Sequence, residues 1–128
     1  MKVETILLIG MIVVLAGCEG QTTYNWYLKN ASTSAVQVEL ESPYGTIDTL
    51  EIPSGANQLI LTWEQLGGNR YEQDPANYFN DSRVYNSMDT AMKDLEQAVN
   101  WASAIDHVRK VPSIFRHDYQ ITITDQDF

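Results

Sequence analysis

The chain is predicted to be a mainly β domain, an antiparallel β-sandwich with one helical insertion before its last strand. Three observations predict it. Short segments of alternating apolar and polar residues recur at roughly ten-residue intervals, with turn-forming residues between them. A single stretch, residues 89–110, changes to helical spacing. Strict alternation then returns close to the C-terminus.

The first alternating segment places Tyr24, Trp26 and Leu28 on one face and Asn25, Tyr27 and Lys29 on the other, the period of a half-buried strand. The polar NASTS stretch (30–34) turns the chain. Val36, Val38 and Leu40 against Gln37, Glu39 and Glu41 make the clearest strand. SPYG (42–45) is a second turn signal, its proline and glycine setting the backbone. Ile47, Leu50 and Ile52 form a weaker strand ending at Pro53-Ser54-Gly55. Leu59, Leu61 and Trp63 alternate with Ile60 and Thr62, and this strand runs out before Gly67-Gly68-Asn69. Residues 70–80, rich in Asn, Asp, Tyr and Pro, have no period and read as a long loop, followed by a short strand candidate at 82–86. Ala91, Met92, Leu95, Ala98, Val99, Ala102 and Ile105 fit a helix, with Asp89 and Asp94 early, Arg109 and Lys110 late, and Pro112 as the stop. Tyr119, Ile121 and Ile123 against Gln120, Thr122 and Thr124 form the final strand. The set describes a sandwich of the immunoglobulin or transthyretin type.

Ahead of the first strand, Lys2 precedes an apolar block at 6–16 interrupted by Gly10. As a helix this spans roughly 16 Å, short of a ~30 Å hydrocarbon core. A basic start, a short apolar centre and a small-residue end describe an export signal. Leu15-Ala16-Gly17-Cys18 resembles the lipobox of bacterial lipoproteins at all four positions. The resemblance implies a diacylglyceryl group on the Cys18 sulfur, cleavage before Cys18, and a further N-acyl chain such as palmitate. Small residues at 16 and 17 suit an extended passage through a peptidase groove, and cysteine supplies the nucleophilic thiolate. One acyl chain holds a protein on a membrane marginally; two or three hold it essentially permanently. The expected organisation is a cleaved signal peptide at 1–17, a lipidated tether at 18–23, and a β-sandwich domain at 24–128 with its helical segment at about 89–110.

Composition excludes several classes. The formal net charge is −9, unchanged when Lys2 and Glu4 leave with the leader, and no basic stripe is present. Such a surface repels nucleic acid and anionic headgroups, so the anchor is expected to be lipid and not a basic patch. Cys18 is the one cysteine, and its lipidation leaves no thiol for a disulfide, a zinc site or redox chemistry.

Three further stretches carry a wider resemblance: YNWYLKNASTSAVQVEL after the lipid cysteine, LEIPSGANQLILTW, and HDYQITITDQDF at the C-terminus. In these the chain resembles the small cell-envelope lipoproteins of Bacteroidota, over most of residues 24–128. That resemblance implies a β-sandwich without known catalytic residues, held at the outer membrane on its periplasmic or surface face. It also implies service either alone or beside larger transport or secretion machines. The helical segment departs from the family's all-β outline.

The candidate sites follow from residue chemistry. His107 and His117, the two histidines, each neighbour an aspartate, Asp106 and Asp118, but no serine sits in a recognisable nucleophile elbow. They are expected to be solvated surface residues, and no enzymatic activity or resident cofactor is expected. Asp125 and Asp127, or the acids and amides of 72–81, offer oxygens to calcium but lack the glycine and spacing of a calcium loop, so no metal is expected. The function expected first is a non-catalytic binding or accessory subunit of an outer-membrane protein complex, which leaves an apolar face on the helical segment around Trp101, Val99 and Ile105. The alternative is a free surface lipoprotein that binds a glycan or other small ligand through the aromatic loop 63–85, gathering Trp63, Tyr71, Tyr78 and Tyr85 there. Asp48-Thr49-Leu50 and Asp89-Thr90-Ala91 resemble Bacteroidota O-glycosylation sites, which requires Thr49 and Thr90 to be exposed.

Overall fold

The computed structural model describes residues 19–41 and 45–128. The leader, Cys18 and most of the SPYG turn lie outside the described residues. Seven strands form: β1 (Gln21–Asn30), β2 (Val36–Glu41), β3 (Ile47–Ile52), β4 (Asn57–Leu66), β5 (Arg83–Tyr85), β6 (Ala102–Arg109) and β7 (Ile114–Ile123). They make a four-stranded sheet in the order β4-β1-β7-β6 and a three-stranded sheet in the order β3-β2-β5. The expected mainly β character holds.

β1 is the spine. It pairs antiparallel with β4 on one side and parallel with β7 on the other, in continuous register from Gln21↔Ile114 to Asn30↔Ile123. That parallel pair corrects the wholly antiparallel expectation. A parallel neighbour needs a long crossover, and everything from β2 to β6 provides it. Inward residues Tyr24, Trp26 and Leu28 meet Tyr119, Ile121 and Ile123 of β7, Val36 and Val38 of β2, Ile52 of β3 and Val84 of β5 in one core. Buried Asn30 ties the end of β1 to both following turns. Its Nδ2 donates to the Ser34 and Ile52 carbonyls, and its Oδ1 accepts from the Ser32 backbone and hydroxyl.

β1 also starts earlier than its apolar alternation suggested. Thr22 is buried, donating to the Gly67 carbonyl at 2.7 Å and accepting from the Asn69 backbone at 2.7 Å. Residues 21–23, expected in the tether, are strand.

The helical expectation for 89–110 is corrected: among the described residues there is no α-helix, only 3-10 turns at Pro75–Tyr78, Ala98–Asn100 and Asp125–Asp127. The reason lies in the polar residues of the stretch. Asn86 Oδ1 accepts from the Met88 and Asp89 amides, Asp89 Oδ1 from Thr90, and Asp94 Oδ1 from Glu96. Asn100 Nδ2 donates to the Asp94 carbonyl. Each of these bonds gives the backbone an alternative to a helical turn. The C-terminal half becomes β6, which satisfies the otherwise open edge of β7 and is itself exposed along all its length.

Candidate functional site

In the four-stranded sheet β4 is an edge strand, paired with β1. Cross-strand partners share a face, so Trp63, opposite buried Tyr24, and Leu61, opposite buried Trp26, both point toward the interior. A register shift between Trp26 and Tyr27 puts Ile60 opposite neither residue and lets it turn inward as well. Leu59 is left on the outer face, which corrects its expected place beside Leu61 and Trp63. Trp63 itself is 46% exposed.

The loop after β4 supplies the facing wall. Asp74 caps the Pro75–Tyr78 turn by accepting from the Ala76 amide, and Trp26 Nε1 donates to the Pro75 carbonyl at 3.1 Å. Tyr78 then lies 4.7 Å from the Trp26 ring and 5.3 Å from Trp63, centroid to centroid. Phe79 stacks on Trp101 at 5.2 Å behind it. The result is a groove of about 400 Å³ with Ile60, Trp63, Tyr78 and Phe79 as its aromatic and apolar surface and Glu41, Asp48 and Asn80 among its polar lining. That volume lies in the range of small-molecule sites. Ser82 also lines it, and its buried hydroxyl is the one such side-chain atom without a hydrogen-bond partner among the described residues. Burial holds the Tyr78 phenol above its ordinary range, so it is a neutral hydrogen-bond donor at physiological pH. Chemically, the groove presents aromatic faces for an apolar ring surface and carboxylates, an amide and hydroxyls for a ring of polar substituents.

Of the four aromatic residues expected together, the structure joins Trp63 and Tyr78 only. Tyr71 is 67% exposed in the loop, with Arg70 beside its ring. Tyr85 lies on β5 in register with Gln37, its ring under Arg83, while the adjacent Val84 is the inward residue. Sequence reasoning missed Ser82, Asp48 and Glu41 as groove residues, since they converge from three separate segments with no shared motif.

Trp101, expected on an exposed face, is buried: it packs on Phe79 and donates from Nε1 to the Leu95 carbonyl at 2.8 Å. Val99 and Ile105 are exposed, on a 3-10 turn and on β6, and form no common helical stripe. Thr49 and Thr90 are both exposed.

The histidines divide. His107 is exposed, stacked on Phe115 at 4.2 Å with Ser113 Oγ 3.3 Å from its Nε2. His117 is fully buried, which corrects its expected surface position. Its Nε2 lies 2.6 Å from the Asn69 carbonyl, an acceptor, so that nitrogen carries the proton. The signal was available: 115, 117, 119, 121 and 123 share one parity in β7, and all are buried. Asp106 and Asp118 both pair with Arg116, so neither neighbouring carboxylate serves a histidine. Among the described residues no group of three or more His, Cys, Asp or Glu is placed to hold a metal ion, and no helix is long and apolar enough to cross a membrane.

Comparison of the chain with protein-family models, with curated proteins and with solved structures finds no match.

Proposed function

We propose that this protein is a lipid-anchored lipoprotein of the bacterial cell envelope that captures a glycan or other small ligand in the Trp63–Tyr78 groove, without catalysing a reaction. The single observation that carries the reading is the half-exposed Trp63 and Tyr78, side by side at 5.3 Å, lining a groove of about 400 Å³ with carboxylates on its rim. A bound ring with polar substituents covers the exposed aromatic faces and meets the polar groups beside them. The lipobox supports an acyl anchor at Cys18, and the resemblance to Bacteroidota envelope lipoproteins supports an outer-membrane location on either face. Two sheets around one core, ordered β4-β1-β7-β6 and β3-β2-β5, support the finer reading of an immunoglobulin- or transthyretin-type sandwich. Exposure of Thr49 and Thr90 is compatible with O-glycosylation at both.

A second reading, an accessory subunit of an outer-membrane complex, has one observation in its favour. Among the described residues β6 is bonded along one edge only, and Ile105 on it and Val99 before it are exposed, which suits a partner adding a strand. A pull-down of the tagged native protein from membranes in mild detergent, beside a Cys18→Ser control, separates the two. The capture reading expects the protein to emerge alone. A partner recovered at near-equal stoichiometry, and lost in the control, favours the subunit reading instead.

A further inference from the structure

At the end of the domain from which the chain leaves toward Cys18, the backbone is closely held. Gly20 is gripped from both sides: its carbonyl accepts from the Gly67 amide at 3.1 Å, and the next amide, Gln21, donates to the Ser113 carbonyl at 3.0 Å. A Cβ on Gly20 would collide with that same Ser113 carbonyl, and one on Gly68 would press the Ser113 side chain to 2.7 Å. The strand therefore begins between the end of β4 and the β6–β7 turn, with no slack. From Cys18 to Gln21 the chain reaches at most about 10 Å, far less than the ~30 Å length of the ten-residue β1.

That same pole carries exposed apolar side chains. Leu66, in register with Gln21, is 79% exposed; Val111, in the β6–β7 turn beside Ser113, is 80% exposed; Val108, before it, is 58% exposed. Arg109 and Lys110, adjacent bases in a chain of net charge −9, sit between the two valines, with Glu19 the acid on the departing chain. The opposite pole, where the β1–β2 and β3–β4 turns meet, presents Ala31, Thr33, Ser34, Ala35, Ser54 and Gly55.

Resting on the reading of Cys18 as the lipid anchor, we infer that this pole is a second membrane contact. The β6–β7 turn and the end of β4 lie in the headgroup region of the bilayer that holds the acyl chains, with Leu66, Val108 and Val111 entering it and Arg109 and Lys110 meeting anionic headgroups. Short reach fixes which pole faces the lipid, exposed aliphatic side chains gain by leaving water, and bases beside them match anionic lipid. The domain then stands with β1 rising from the membrane instead of swinging on a tether.

The experiment uses the full mature protein reconstituted in vesicles of phosphatidylethanolamine and phosphatidylglycerol. Acylation of Cys18 leaves an introduced cysteine as the single free thiol, so Val111→Cys, Leu66→Cys and Ala35→Cys, all exposed positions, are each labelled with an environment-sensitive fluorophore. Intact mass confirms the acyl chains. The inference expects blue-shifted emission, quenched by brominated lipid, at positions 111 and 66, and water-like emission at 35. Water-like emission at 111 and 66 on acylated, vesicle-bound protein overturns the pole contact and leaves the anchor standing, as does the same emission at all three positions. An intact mass without acyl chains overturns both the anchor and the contact.

Discussion

Replacing Trp26 with phenylalanine tests how the core holds the groove. Trp26 is fully buried, and its Nε1 donates to the buried Pro75 carbonyl at 3.1 Å, the bond that pins the start of the Pro75–Tyr78 turn. Its ring also backs Tyr78 at 4.7 Å, Tyr119 at 5.3 Å and Phe79 at 6.4 Å. Leaving the Pro75 carbonyl unpaired costs about 1–3 kcal/mol. Lost contact and the small void left by the narrower ring add about 1 kcal/mol. Trp26→Phe is therefore expected to lower the unfolding free energy by about 2–4 kcal/mol. At a urea slope of about 2 kcal/mol per molar, this moves the midpoint down by about 1–2 M. Urea titration followed by far-ultraviolet circular dichroism reads it. The groove is expected to loosen as well, because the narrower ring backs Tyr78 less fully, with Trp63 emission moving to the red in the folded baseline. A midpoint within about 0.2 M of the parent, equivalent to about 0.4 kcal/mol at this slope, would refute the claim that this bond and ring organise the groove.

Ser82→Ala removes a buried hydroxyl that has no partner among the described residues, so stability is expected to be unchanged or to rise by up to about 1 kcal/mol, as thermal unfolding will show. Gly20→Ala forces a Cβ against the Ser113 carbonyl at φ +75°, and is expected to cost at least about 1 kcal/mol, with faster hydrogen exchange at the Gln21 amide. Burial chiefly pushes the Tyr119 phenol up to about 12 from its ordinary 10.0. Because the folded value is the raised one, its contribution is complete below pH 10 and is lost as the pH climbs toward 12; Tyr119→Phe is expected to flatten that part of an alkaline stability profile.

The strands legible in the sequence are those with one wet and one dry face. β2 shows it fully: Val36 and Val38 are buried, Gln37 and Glu39 are not, and the turns on either side are polar. β6 was illegible because it is an edge strand whose eight residues are all exposed, so no side-chain period distinguishes its faces. The helical spacing before it was real as a pattern, yet only Leu95 of Ala91, Met92, Leu95, Ala98 and Val99 is fully buried, while the local Asn and Asp bonds determine the backbone. The parallel β1–β7 pair leaves no trace in alternation, which is the same for either direction. Half of the groove was visible, since Trp63 and Tyr78 are aromatic residues at a loop boundary. Its polar half was not: Glu41, Asp48 and Ser82 come from β2, β3 and the segment before β5, and only the tertiary fold brings them to one place.

The central claim is that the Trp63–Tyr78 groove binds a ring-shaped polar ligand. Saturation-transfer difference NMR of the mature protein against a panel of bacterial and host oligosaccharides, run in parallel on Trp63→Ala, tests it most directly. The account predicts transfer to the ring protons of at least one glycan, lost in Trp63→Ala while that variant keeps the parent's circular dichroism spectrum. No transfer from any glycan at millimolar concentration, or transfer that survives the loss of Trp63, would contradict it.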